Sequence, residues 1–66
     1  MRHGVVLWFD DARGRGFIRG DDGREILVHY SEIVGSGYRS LAGGQHVRFD
    51  VGYGIFGHQA VCVHVA

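Results

Sequence analysis

The sequence predicts an all-β chain closed into a five-stranded barrel, and three observations carry that prediction. Twelve glycines and no proline divide the 66 residues into short segments. Those segments are rich in Val, Ile, Phe, Tyr and Trp, which favour a pleated, half-buried surface. No stretch repeats with a period of about 20 to 50 residues, which excludes solenoids and propellers. With almost no helix to cover the edges of an open sheet, closure into a barrel is the economical way to remove them.

The first strand spans Gly4 to Asp10, where VVLWF runs up to a pair of aspartates. The second covers Gly16 to Arg19 and the third Glu25 to Tyr30. Between them GDDG supplies residues that tolerate positive φ, so these two strands form a tight hairpin. The long, glycine-rich YSEIVGSGYRSLAGG reads as a crossover loop with one helical turn near Ser31 to Val34, capped by Ser31. The fourth strand spans His46 to Gly52 and the fifth Gln59 to Val65. Asp10, Asp11, Asp21 and Asp22 fall at turns, where aspartate is favoured for local backbone hydrogen bonds.

A chain of this length has room for one domain spanning residues 1–66 and no deep catalytic cleft. Hydrophobic content of 45% with 21% charged residues lies in the globular range. No apolar run approaches the ~20 residues that cross a bilayer. MRHGVVLWFD meets two aspartates before any long apolar stretch, unlike a signal peptide, so a cytoplasmic location is expected. The seven basic residues, all arginines, balance seven acids. Binding to nucleic acid would therefore rest less on charge than on stacking, worth roughly 1 to 3 kcal/mol per base.

Alternation along EILVHY puts Ile26 and Val28 on one face, toward the core, and Leu27 and His29 on the other. In RGRGFI, Arg15 and Phe17 share a face opposite Ile18, and Gly14 and Gly16 leave the sheet low enough for a flat ligand. Trp8, Phe17, His29 and Tyr30 then form a row of exposed rings beside guanidinium groups. Val6, Phe9, Ile18, Val28, Ile33, Val47, Phe49 and Val63 are assigned to the core.

These stretches resemble a known family. GVVLWFDDARGRGFI is similar to the opening of the cold-shock domain, G-x-V-K-W-F-N followed by K-G-F-G-F-I, and ILVHYSEI to its second motif, V-F-V-H-F-S-x-I. GYRSLAGGQHVRFDV and GHQAVCV resemble its later segments, G-F-K-x-L-x-x-G-x-x-V-x-F-x-V and G-P-Q-A-x-x-V. The resemblance implies an antiparallel oligonucleotide/oligosaccharide-binding barrel that binds single-stranded RNA or DNA as an RNA chaperone or expression regulator. It implies stacking by Trp8, Phe17, His29, Tyr30 and Tyr38, with Arg13 near phosphates and Phe9 supporting the edge. Arg15 and Leu27 stand where the family has phenylalanines, and Leu7 where it has lysine. Arg15 can still lie flat over a base by cation–π contact, worth up to about 2 kcal/mol when desolvated, whereas Leu27 offers only apolar contact. Phe56 adds a ring to the last loop, where His58 replaces a proline. Binding weaker than that of a typical member is expected.

Other chemistry finds little support. Gly14 and Gly16 begin a G-x-G-x-x-G pattern, but Arg19 occupies the third position and no βαβ unit fits around it. No nucleophile elbow precedes Ser31, Ser36 or Ser40. Cys62, the one cysteine, forms neither an intrachain disulfide nor a multi-cysteine metal motif and reads as an inert strand residue. No enzyme activity, cofactor, metal or small-molecule substrate is expected, and a monomer is. By the resemblance, His3, His46 and His64 would gather where strand ends converge, away from the aromatic face. An alternative reading takes Leu7, Arg15 and Leu27 as a dismantled nucleic-acid face that now binds another protein.

Overall fold

The structure, a computed structural model, describes residues 1–35, 39–54 and 57–66. Five strands follow in chain order: β1 (Arg2–Asp10), β2 (Arg15–Gly20), β3 (Glu25–His29), β4 (His46–Gly54) and β5 (Gly57–Val65). They close in the order β1-β2-β3-β5-β4, with β4 returning to β1. This is an oligonucleotide/oligosaccharide-binding barrel. Every pairing is antiparallel except β3 with β5, a short parallel ladder through Leu27↔Gln59 and Val28↔Ala60. That exception follows from the crossover: only a long connection brings a later strand beside β3 in the same direction.

The β2–β3 hairpin turns as the GDDG segment predicts. Gly23 takes φ +84°, and Asp22 Oδ1 accepts the Arg24 backbone N–H at 3.0 Å. Asp10 works similarly after β1, accepting the N–H groups of Ala12 and Arg13 at 3.0 and 3.3 Å. The helical turn is a 3₁₀ turn over Tyr30–Glu32, one residue earlier than expected, and its cap is His29 rather than Ser31. The crossover is pinned by Ile33, which bridges to Val63, and by the Val34 N–H donating to the Val63 carbonyl at 2.8 Å.

Val6, Ile18, Val28, Val47, Phe49 and Val63 are the largest side chains that are fully buried, each stabilising the barrel by roughly 1.5 to 3 kcal/mol. Ile33 is buried too, while Phe9 is only partly buried and packs on the rim of this cluster. Leu41 and Ala60 complete the core. Leu41 lies in the glycine-rich crossover, where no periodicity marks it as inward. Ala60 is small enough to sit where β5 crosses β3.

Two bulges re-aim side chains. In β1 the register slips between Val6 and Trp8: Val6 faces Ile18, yet Trp8 faces Phe17. Residues two apart on a regular strand share a face. The extra residue, Leu7, lets Val6 point into the core while Trp8 points out. In β5 the register slips opposite Arg48 and Asp50, and Cys62 sits there at φ +52°. Cys62 is thus an exposed bulge residue rather than an ordinary strand position.

The expected gathering of three imidazoles is not what the sheet produces. His3 and His64 lie on either side of Arg48 in register, and His46 lies opposite Val5. Among the described residues no group of three metal-ligating side chains forms. Among the described residues no helix is long and apolar enough to cross a membrane.

Candidate nucleic-acid interface

Pairing across β1, β2 and β3 sets a row of side chains on the outer surface. Trp8 lies opposite Phe17, Phe17 opposite Leu27, and Leu27 opposite Gln59 of β5. Directly opposed residues share a face with Cβ atoms about 4.5 to 5.5 Å apart. The Trp8 and Phe17 rings meet at 5.6 Å between centroids, tilted by 52°, an arrangement that suits the ring quadrupoles. Trp8 remains 49% exposed, so the indole offers area beyond this contact.

A second row runs beside the first. Asp10 lies opposite Arg15, and Arg15 opposite His29. Tyr30 follows at the start of the 3₁₀ turn, its ring 4.6 Å from that of His29 and tilted by 38°. His29 is held in place: its Nδ1 accepts the Ser31 N–H at 3.3 Å and lies 2.8 Å from the Ser31 hydroxyl. With Nδ1 accepting, the neutral ring carries its proton on Nε2. Tyr30 is itself 48% exposed.

The glycines of GRG serve the protein rather than a ligand, which corrects the sequence reading. A Cβ on Gly16 would collide with the Trp8 carbonyl oxygen and lie 2.8 Å from Phe9 Cα. Gly16 thus lets β1 form its bulge. A Cβ on Gly14, at φ +68°, would lie 2.5 Å from Tyr30 Cδ1, so that glycine makes room for the tyrosine ring. Both are buried. The flat surface expected for a base is already filled by the chain's own atoms.

Charge around this surface is of both signs, with Arg2, Arg24, Asp21, Asp22 and Glu25 lining the same groove as Trp8, Arg15 and Phe17. Arg15 takes part in none of the ion pairs among the described residues, whereas Arg13 Nε lies 3.7 Å from Asp10 Oδ2, both groups exposed. Leu27 is half-buried between Phe17 and Gln59. Tyr38 and Phe56 fall outside the described residues.

A groove of about 950 Å³ has Trp8, Arg15, Phe17, Leu27, Val51 and His58 in its walls. Sequence reasoning noted His58 only as a replaced proline and missed Tyr53 altogether. The two lie opposite each other on β4 and β5, rings 4.6 Å apart, and Tyr53 is 82% exposed. An aromatic beside the glycines of VGYG was the available signal.

A closed five-stranded barrel with aromatic rows on its β1–β3 surface defines the class: an oligonucleotide/oligosaccharide-binding module. Comparison with known proteins narrows it. The sequence model of the "'Cold-shock' DNA-binding domain" matches residues 2–66, and the chain belongs to this nucleic-acid-binding family. It is 44% identical to "Cold shock protein CspC" of Bacillus subtilis (strain 168) over 66 residues, covering all of both chains. It is 47% identical to "Probable cold shock protein A" of Mycolicibacterium smegmatis over 64 residues, 96% of each chain. Against "Cold shock-like protein CspD" of Vibrio cholerae identity is 48% over 65 residues, covering 96% of this chain and 84% of that protein.

Proposed function

We propose that this chain binds single-stranded RNA or DNA by stacking bases on Trp8, Phe17, His29 and Tyr30, and acts in the cytoplasm as an RNA chaperone or regulator of expression. The observation that carries the reading is the pair of adjacent ring contacts, Trp8 with Phe17 and His29 with Tyr30, on neighbouring strands of one surface. Two such platforms suit successive bases, because every base has a π-face and stacking needs no particular edge. Arg15, opposite His29 and free of a carboxylate partner among the described residues, supplies the cation for a phosphate or a base face. Leu27 contributes apolar contact between the rows. Arg13, Tyr38 and Phe56 are further contacts in this proposal, on the strength of the family motif alone. The chain acts as a monomer, needs no cofactor and performs no catalysis.

Titration with a thymine-rich hexanucleotide tests it. Trp8 is the only tryptophan, so stacking should quench its fluorescence to saturation. No quenching, with no binding by an independent method, would overturn the proposal.

A further inference from the structure

The β4–β5 hairpin runs past the barrel it helps to close. The β1–β4 ladder ends at Arg2↔Phe49, because β1 begins at Arg2. β4 and β5 go on pairing through Val51↔Ala60 and Tyr53↔His58 to Gly54↔Gly57. Residues two apart on a strand share a face, so Val51 and Tyr53 continue the face of β4 that holds Phe49 in the core. Phe49 is 1% exposed, Val51 40% and Tyr53 82%. The core-facing side of the strand therefore emerges from the core along the hairpin, carrying first an apolar side chain and then a ring.

Opposed side chains share a face, and the His58 ring stands 4.6 Å from that of Tyr53, tilted by 44°. The reverse face of the hairpin is filled by the chain itself: a Cβ on Gly54 would collide with the Gln59 amide, and one on Gly52 would lie 2.9 Å from Val61 Cγ1. The ring pair thus has a solid backing. His58 and Val51 line the same groove as Phe17, Ile26 and Leu27. Leu27 lies opposite Gln59, and Gln59 opposite Gly52, so the backbone beside Tyr53 is two strand spacings, roughly 10 Å, from Leu27. Arg2, Arg15 and Arg24 in the groove are matched by Asp21, Asp22 and Glu25. Charge there gives a phosphate no strong hold, and what the rings can take is a flat, uncharged face.

We propose that Tyr53 and His58 form a third base platform, which extends the single-strand track of Trp8, Phe17 and Leu27 across the β3–β5 seam and stacks one further nucleobase. The inference rests on the single-strand reading above, and the shared groove assigns the platform to the same strand. Stacking accepts any base, because every base has a π-face. It releases no counterions, so the platform adds affinity without steepening the salt dependence. A ring as exposed as Tyr53 gains less from a base than an enclosed one, which puts its contribution near the lower end of the range for one stacked base, about 5- to 10-fold in Kd.

The test uses the full chain and a thymidine hexanucleotide. Trp8 fluorescence reports the first platform, and the ring-proton resonances of Tyr53 and His58 report the third. The expected result is quenching together with displacement of both sets of ring resonances. Tyr53→Ala should raise Kd about 5- to 10-fold by anisotropy of the labelled hexanucleotide, with Trp8 quenching at saturation and the salt slope unchanged. Its Tm should stay within about 4 °C of the parent, since the side chain is exposed, and Tyr53→Phe should bind as the parent does. Quenching with unmoved Tyr53 and His58 resonances, and a Kd for Tyr53→Ala within twofold, would overturn the third platform and spare the stacking proposal. Displacement without quenching would overturn the continuous track. A loss in Tyr53→Phe equal to that in Tyr53→Ala would overturn stacking in favour of a hydroxyl contact. Displacement of the same resonances by raising the protein concentration alone would overturn the assignment to a nucleic-acid strand and give the rings to a second copy of the chain.

Discussion

Replacing Phe17 by alanine separates the binding role of the aromatic surface from its structural role. Phe17 is half-buried and outside the core cluster; its ring touches Trp8 at 5.6 Å, and Leu27 lies opposite. Removing one stacking platform should cost about 1 to 3 kcal/mol of binding, a rise in Kd of about 5- to 150-fold. Stability should also fall, by the roughly 0.5 to 1.5 kcal/mol of the aromatic pair plus about half of the roughly 1.5 to 3 kcal/mol that full burial of the side chain gives. For a domain this small each kcal/mol moves Tm by about 4 to 8 °C, so a drop of about 5 to 24 °C is expected. Binding is best read by anisotropy of a labelled thymine hexanucleotide, since the substitution also changes the surroundings of Trp8, and stability by a far-ultraviolet circular dichroism melt. A Kd within twofold of the parent would refute stacking at this position. A Tm collapse of about 30 °C or more would instead place Phe17 in the core.

Other expected outcomes follow from particular contacts. Gly16→Ala forces a Cβ against the Trp8 carbonyl oxygen, so urea denaturation should show a loss near the upper end of the roughly 1 to 3 kcal/mol typical of overpacking. Gly23→Ala, with open space around it, should lose only the cost of its positive φ, about 1 to 2 kcal/mol; equal losses below 1 kcal/mol in both would argue against the β1 bulge. At the β5 bulge, Cys62→Gly should be neutral or stabilising by up to about 1 kcal/mol, since relief of positive φ outweighs the entropy of glycine. Cys62→Val should be destabilising, and equal tolerance of both in urea melts would mean that the residue is not at φ +52°. Leu27→Phe extends the row beside Phe17 and should tighten hexanucleotide binding by about 1 kcal/mol or more; no gain in Kd would indicate that this position does not meet a base. At neutral pH the log–log salt slope of Kd should be shallow, about one or two times 0.7, because among the described residues Arg2, Arg24 and Arg13 around this surface are paired with Asp22 or Asp10, and Arg15 is not. A slope steeper than about 3 would mean that phosphate contacts dominate.

The sequence alone determined the elements whose causes are local. GDDG makes the β2–β3 turn because Gly23 accepts positive φ and Asp22 caps the loop. Alternation in EILVH sends Val28 inward and Leu27 outward, since a regular strand reverses its side chain at every residue. Most of the core was legible for the same reason. Only the tertiary structure decided what depends on a partner strand. Val6 and Trp8 share a phase in sequence, and their opposite directions come from the Leu7 bulge against β2. Gly16 reads as a flat spot for a base until the Trp8 carbonyl is found packed on it. His29 becomes the cap of the 3₁₀ turn, and thereby a fixed ring, through its contact with Ser31. Leu41 enters the core from a loop without periodicity, and Tyr53 meets His58 only when β4 and β5 pair. Arg48 is one of seven arginines in a neutral chain. Its place between two imidazoles arises from the register of three strands separated in sequence, which short-range patterns do not encode.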